Sequence, residues 1–266
     1  MLGGSGLIDD EIIYPVGMRG IRNIARLREE IRNGKFSMAI NLTAPRSLLK
    51  SIRDEVFLRS CNIPSIIGTP WRRRDLVLAR KKDSEIYEWE AERLVRRIEK
   101  FGEANLDEQR SWDLKLSKEE HIDGSRLLLD AGISGGFYAF SIGTKSNTND
   151  WTQEKWIELI DLLAKQDKEA QLVGIGADSD FVRTEECLQR WKGRRANFCG
   201  RASVRVIASI LQQSSIFIGH DSGPMHLAAV VNVPCVAVFS GRNPPGQWFP
   251  RGANNTIIYR GSLNAI

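Results

Sequence analysis

The run "IGHDSGPMHLAA", Ile218 to Ala229, brings two imidazoles, a carboxylate and a hydroxyl together around a glycine and a proline. An Asp-Ser-Gly run can present a serine nucleophile. Here, however, the order Gly219, His220, Asp221, Ser222, Gly223 is not a Gly-x-Ser-x-Gly elbow, and the flanking pattern is α/β rather than two β-barrels. The remaining chemistry is electrostatic. Ile216–Gly219 reads as a strand and the apolar pattern resumes as a helix at Met225, so His220–Pro224 is the turn at the carboxyl edge of a sheet, where open α/β sheets bind ligands. Ser222 or Gly223 can cap the helix, Pro224 suits its first turn, and Gly223 lets a ligand reach the backbone. Free N–H groups and the positive end of the helix dipole then form a seat for a phosphate-sized anion. The same residues are compatible with a helix cap that binds nothing.

Two further turns lie at the same edge. "GTKSNTNDW" follows the strand Phe137–Ile142; Gly143, Thr144 and Lys145 offer a backbone approach, a hydroxyl and a positive charge, and Thr152 can cap the next helix. "GADSD" follows Gln171–Ile175 and brings Asp178 and Asp180 to the edge, where a carboxylate could accept from a ribose diol. There is no Gly-x-x-x-x-Gly-Lys-Ser/Thr loop, no Gly-x-Gly-x-x-Gly follows a strand, and the early "GGSG" precedes any strand, which argues against a P-loop and an NAD site. Cys61, Cys187, Cys199 and Cys235 are scattered in apolar settings without a Cys-x-x-Cys pair, so they read as buried thiols. His121, His220 and His226 lack metal-site spacing, and no metal or other cofactor is expected.

These turns require a parallel α/β scaffold. From residue 137 on, the strands Phe137–Ile142, Gln171–Ile175, Ile216–Gly219, Cys235–Phe239 and Thr256–Tyr259 alternate with the helices Gln153–Gln166, Phe181–Trp191, Val204–Gln213 and Met225–Val231. Earlier, strands are expected at Glu11–Tyr14, Met38–Leu42 and Ser65–Ile67, and helices at Ile21–Asn33, Leu48–Cys61 and Ser84–Lys100. Gly102–Lys115 is polar and aperiodic, a linker by pattern, so the expected domains are residues 1–115 and 116–266 with a cleft between them. The 266 residues, 42% hydrophobic and 27% charged, suffice for two modest cores. No apolar stretch is long enough to span a bilayer and Met1–Ser5 does not begin a signal peptide, so a cytoplasmic protein is expected. The net charge of +5 favours anionic partners. Much of it lies in "WRRRDLVLARKK", Trp71–Lys82, which is either a solvated face or a patch for phosphorylated glycan or an anionic membrane surface. No nucleic-acid-binding motif accompanies it, and nucleic acid is not expected as a partner.

"FIGHDSGPMHLAAVVNVPCVAVFSGRNPPGQWFPRG", Phe217–Gly252, resembles the C-terminal half of glycosyltransferase family 9, the bacterial heptosyltransferases of the lipopolysaccharide core. The family's Asp-Ser/Thr-Gly-x-x-His run is matched by Asp221, Ser222, Gly223 and His226. "SIGTKSNTNDWTQEKWIELIDLLA" is similar to its other sugar-nucleotide loop, and the stretch from "IIYPVGMRG" to "IIGTPW" is similar to its first domain. The resemblance implies a GT-B architecture of two Rossmann-like domains, the C-terminal one binding a nucleotide-diphosphate sugar, ADP-heptose for preference, and the N-terminal one binding a lipopolysaccharide core or related glycan. It implies metal-independent transfer with inversion, in the cytoplasm, with contact at the inner face of the membrane left open. Carried over by position, Asp221, Ser222, Gly223, Pro224, Met225 and His226 surround the diphosphate and sugar, Thr144 and Lys145 contact phosphate, and Asp180 holds the ribose. Asn243 and Trp248 would shape the rim, although Trp248 reads equally well as core.

The chain departs from the family in two places. Asn149 stands where a phosphate-binding lysine is usual, two positions before Trp151. The opening strand and Gly-Asp loop that supply the family's general base have no counterpart, Asp9 and Asp10 do not fit the role, and the usual last helix is missing. The expectation is therefore a shortened member with an incomplete N-terminal domain and no assigned catalytic base. Its alternative to sugar transfer is binding of a nucleotide diphosphate or a partner without catalysis.

Overall fold

The computed structural model describes residues 3–15, 17–43, 47–144 and 150–260. The chain divides into two units, Ile8–Leu106 and the chain from Asp107 on, the latter including the first residues through Leu7.

The unit Ile8–Leu106 is built on two short parallel strands, β1 (Met38–Ile40) and β2 (Ser65–Ile67), paired from Met38↔Ser65 to Ile40↔Ile67. Four helices accompany them: α1 (Ile21–Asn33), α2 (Leu48–Ser60), the single turn α3 (Arg73–Leu76) and α4 (Glu90–Arg97). The expected helix Ser84–Lys100 is shorter because its first residues fold back instead: Lys81 N–H donates to the Ile86 carbonyl at 2.9 Å and Glu88 N–H to the Ala79 carbonyl at 2.8 Å. The expected strand Glu11–Tyr14 does not form. The segment is irregular and Ile13 is 83% exposed, so its apolar pair finds neither a ladder nor a core.

Buried Arg97 ties the ends of the two strands together, donating at 2.7 Å to each of the Asn41, Thr43 and Gly68 carbonyls. Gly68, at φ +79°, lies so close to Asn41 that a Cβ would stand 2.8 Å from its carbonyl oxygen, a position only glycine fills without strain. The basic run is partly neutralised: Arg74 pairs with Glu99 at 2.8 Å, and Lys81 pairs with Glu92 at 3.5 Å while lying over the Trp89 ring.

The unit from Asp107 carries a six-stranded, all-parallel sheet in the order β5-β4-β3-β6-β7-β8. The strands are β3 (Tyr138–Ser141), β4 (Leu172–Gly174), β5 (Arg195–Asn197), β6 (Ile216–His220), β7 (Cys235–Ser240) and β8 (Thr256–Arg260). The helices are α5 (Lys118–Asp130), α6 (Gln153–Gln166), α7 (Phe181–Leu188), α8 (Val204–Leu211) and α9 (Gly223–Val230). Both sheet faces are covered, which is why the central strands read as continuous apolar runs. Phe140, Ile142, Leu172 and Ile218 pack with Trp156 and Ile160 of α6 and Leu188 of α7. On the opposite face Ala139, Val173, Phe217 and Ala237 pack with Leu128 of α5, Ile207, Ala208 and Leu211 of α8, and Ala228 of α9. Each large side chain buried here contributes about 1.5–3 kcal/mol relative to exposure.

The boundary lies after Leu106 rather than at 115/116, because the stretch expected to be a linker is fastened to the second unit. Arg205 donates to the Leu114 and Lys115 carbonyls at 2.9 and 2.7 Å, and Arg251 donates to Gln109 Oε1 at 2.6 Å and to the Asp107 carbonyl at 3.0 Å. Arg205 also grips Glu120, whose other contact closes a capping box with Ser117 at the start of α5. All four cysteines are free and buried. Among the described residues no helix is long and apolar enough to cross a membrane.

Candidate functional site

The strand order reverses direction between β3 and β6: from β3 the chain moves outward to β4 and β5, then returns to place β6 on the other side. At such a switch point the two adjacent loops leave in opposite directions and open a crevice at the carboxyl ends of the strands. The loops that leave here are the one after Ser141, carrying Gly143 and Thr144, and the one after His220, carrying Asp221 and Ser222. Ser141 and Gly219 are direct neighbours across the ladder.

Ser222 is the residue preceding α9, in extended conformation, but its side chain does not cap the helix. Its hydroxyl donates back to the His220 carbonyl at 3.3 Å. The first helical bond runs from His226 N–H to the Ser222 carbonyl, and Pro224 has no N–H. Among the described residues, the N–H groups of Gly223 and Met225 therefore donate to nothing in the protein. Gly223 is exposed and nothing lies within 4 Å of the place its Cβ would occupy, so the approach to its amide is open. Met225 is fully buried in the core and presents nothing to the site.

Asp221 beside this seat carries a charge that would repel an anion if left bare. Its Oδ2 accepts from Asn243 Nδ2 at 3.2 Å, and its Oδ1 faces His226 Nε2 at 3.8 Å. Asn243 is held in turn by its carbonyl, which accepts from the Tyr259 hydroxyl at 3.0 Å. His226 is half-exposed and meets the Trp248 ring edge-on at 6.1 Å, so Trp248 stands at the surface of the site rather than in the core. Asn243 thus satisfies one oxygen of the carboxylate, while His226 stands beyond hydrogen-bond distance of the other.

The sequence-derived residues divide between those placed at this edge and those that are not. Thr144 is half-buried just after β3, whereas Lys145 and Asn149 lie outside the described residues. Asp180 reaches the end of β3: a Cβ on Gly143 would stand 2.2 Å from its Oδ2, so only glycine lets this carboxylate in. The same oxygen accepts from Ala177 N–H at 2.9 Å, which fixes its orientation. Asp178 is exposed and packs over Gly200. Thr152 does not cap α6: at φ +67° it takes an unusual left-handed conformation, and its N–H donates to Asp150 Oδ1 at 3.2 Å.

The structure adds residues that composition and spacing did not reveal. Arg183 on α7 pairs with Asp150 at 3.1 Å and bonds Gln153, tying the start of α6 to α7. His220 is fully buried, its Nε2 accepts from Trp151 N–H at 3.1 Å, and its ring meets Trp156 edge-on at 5.1 Å. Burial holds its pKa down to about 4. Neither contact has a local signal, since each partner lies about thirty or more positions away. Among the described residues no group of three or more His, Cys, Asp or Glu side chains gathers as metal ligands would.

The arrangement can hold a diphosphate at a helix N-terminus with a hydroxyl and a carboxylate nearby for the rest of a nucleotide. Comparison with known proteins identifies the family. The family model described as glycosyltransferase family 9 (heptosyltransferase) matches residues 24–265. Lipopolysaccharide heptosyltransferase 3 of Escherichia coli is 21% identical over 244 residues, spanning 90% of this chain and 69% of its own. Among solved structures, the family 9 glycosyl transferase of Veillonella parvula superposes with a TM-score of 0.66 at 18% identity, covering 91% of this chain and 69% of the other. The E. coli ADP-heptose lps heptosyltransferase II does so with a TM-score of 0.60 at 18% identity, covering 92% and 77%. These structures share the GT-B fold.

Proposed function

Because the chain belongs to glycosyltransferase family 9, the heptosyltransferase family, we propose that it transfers heptose from ADP-heptose to a lipopolysaccharide core or related glycan, with the donor's diphosphate seated at the start of α9. The observation that carries this reading is the open, unpartnered amide of Gly223 at the start of α9, at the switch point of a parallel sheet, with clear space in front of it.

In this reading the Gly223 amide and the α9 dipole take the phosphate charge. Thr144 adds a hydroxyl, Lys145 a positive charge, and Asp180 accepts from the ribose. His226, which lies beside Asp221, donates to phosphate or sugar. As the glycosidic bond to the nucleotide breaks, negative charge grows on the departing diphosphate. Donors already aimed at it stabilise that state without reorganising, which lowers the barrier with no call on a metal ion. Attack from the face opposite the leaving group inverts the sugar carbon. The acceptor is bound by the N-terminal unit, at the cytoplasmic face of the membrane where such a glycolipid is presented.

Two measurements test this. ADP should raise the melting temperature of the wild type, and Asp221→Ala should remove most of that rise, since Asn243 then loses the carboxylate that holds it beside the seat. ADP-heptose with a core oligosaccharide acceptor should yield a product one heptose heavier by mass spectrometry. Binding of ADP without any product would reduce the proposal to donor binding, and absence of binding would end it.

A further inference from the structure

We propose that His220 is a positioning residue for the donor: it locks the start of α6, and with it the end of the loop that follows β3, onto the strand that carries Asp221. The inference rests on the donor-site reading above.

The His220 Nε2 to Trp151 N–H bond, 3.1 Å long, spans the switch point, joining the end of β6 to the other loop of the crevice. Asp221 and Ser222 follow His220 directly, while Trp151 closes the connection that Gly143 and Thr144 begin. A shift of Trp151 against the end of β6 therefore has to break or bend this bond. The segment it holds would not keep its shape unaided. Thr152 sits in left-handed backbone that a β-branched residue rarely adopts, so contacts from outside the turn must maintain it. Two do so: Arg183 through Asp150, and His220 through Trp151.

The bond also specifies a chemical state. Nε2 can accept only while it carries no proton, so the ring is neutral with its hydrogen on Nδ1. That Nδ1 has no well-aligned acceptor among the described residues, and the Ile142 carbonyl is the backbone group acting on it. The charged groups facing the ring are the Asp150 carboxylate, which favours the protonated form, and the Arg183 guanidinium, which opposes it together with burial, the largest influence. The Trp156 ring closes the remaining side. An imidazole that bound nothing here could be replaced by any apolar group of its size, whereas one that holds Trp151 needs an acceptor at the Nε2 position.

The test compares wild type, His220→Gln and His220→Leu, with Asp221→Ala as control. Gln can bring an amide oxygen to the Nε2 position; Leu fills the space without an acceptor. ADP affinity by calorimetry and exchange of the Trp151 amide proton by NMR are the readouts. H220Q should keep ADP affinity within about twofold and keep the amide protected, and H220L should lose about tenfold in affinity and expose the amide, the scale of one lost hydrogen bond. If H220L does not fold, the ratio of wild-type to H220Q dissociation constants should still rise as pH falls from 6 towards 4, because only the wild type can be protonated there. Any group that titrates alike in both proteins cancels in that ratio. A flat ratio, equal ADP affinity in folded H220L, or H220Q as weak as H220L would overturn the inference alone. Failure of the wild type to bind ADP would overturn the donor-site reading and this inference with it.

Discussion

Replacing Gly223 by alanine separates stability from ligand binding at the start of α9. Nothing lies within 4 Å of the added methyl, and the backbone there has no positive φ, so the folded protein accommodates it without strain. Alanine also gains on glycine in the unfolded reference and in helix propensity, so Gly223→Ala should leave stability unchanged or raise it by about 0.4–1 kcal/mol. The same methyl projects into the space a diphosphate must enter to reach the Gly223 amide. Charge-assisted hydrogen bonds contribute about 1.5–3 kcal/mol each, so forfeiting even one weakens ADP binding by about tenfold to a hundredfold. ADP at a hundred times the wild-type dissociation constant stabilises by about 2.7 kcal/mol, and a hundredfold weaker variant would gain only about 0.4 kcal/mol at that concentration. For a unit of this size these correspond to melting shifts of about 5–10 °C and about 1–2 °C. Scanning calorimetry with and without ADP measures both quantities in one pair of runs. A G223A protein that melts like the wild type and is stabilised equally by ADP would refute the placement of the diphosphate.

Other perturbations test the scaffold. Arg205→Met leaves the Glu120 carboxylate without its partner; because the pair is partly solvent-exposed the cost should be near the lower end of the usual range, about 3 kcal/mol, read from urea denaturation. Hydrogen bonding to Arg205 holds the Glu120 pKa below its ordinary value, so its contribution is full above pH 5 and is lost as pH falls through the lowered folded value. Arg205→Met should lack that part of the acid slope. Burial raises the Cys187 and Cys199 thiols to about 11 and Cys235 to about 12, and Cys61 is buried as well. A thiol-reactive dye at pH 8 should label none of the four in the native protein and all four in guanidinium, and native labelling would contradict the packing.

What could be read from sequence followed from local pattern. β3, β6 and β7 are apolar on both faces because helices cover both, and such runs are conspicuous. Strand β5, "RAN", sits at the sheet edge with an exposed arginine and could not be found this way. Helix α5 escaped notice although Ser117 and Glu120 form a capping box, a signal of the kind that marks a helix start. The pair Ile12 and Ile13 looked like a strand, but a strand needs a neighbour, and the pattern cannot show whether one exists. At the site, the glycine and proline at the start of α9 could be interpreted from backbone chemistry alone. Whether Ser222 spends its hydroxyl on the helix or on the His220 carbonyl is decided by tertiary geometry. The roles of His220 and Arg183 depend on partners brought together by the fold, and a single chain read linearly shows only their types.

The central claim concerns the amide of Gly223, and titration of the isotopically labelled protein with ADP observes it directly. The Gly223 N–H resonance should move downfield further than any other outside the ribose and base contacts, saturating with the binding curve. ADP that binds while that resonance stays in place would show that the phosphates lie elsewhere.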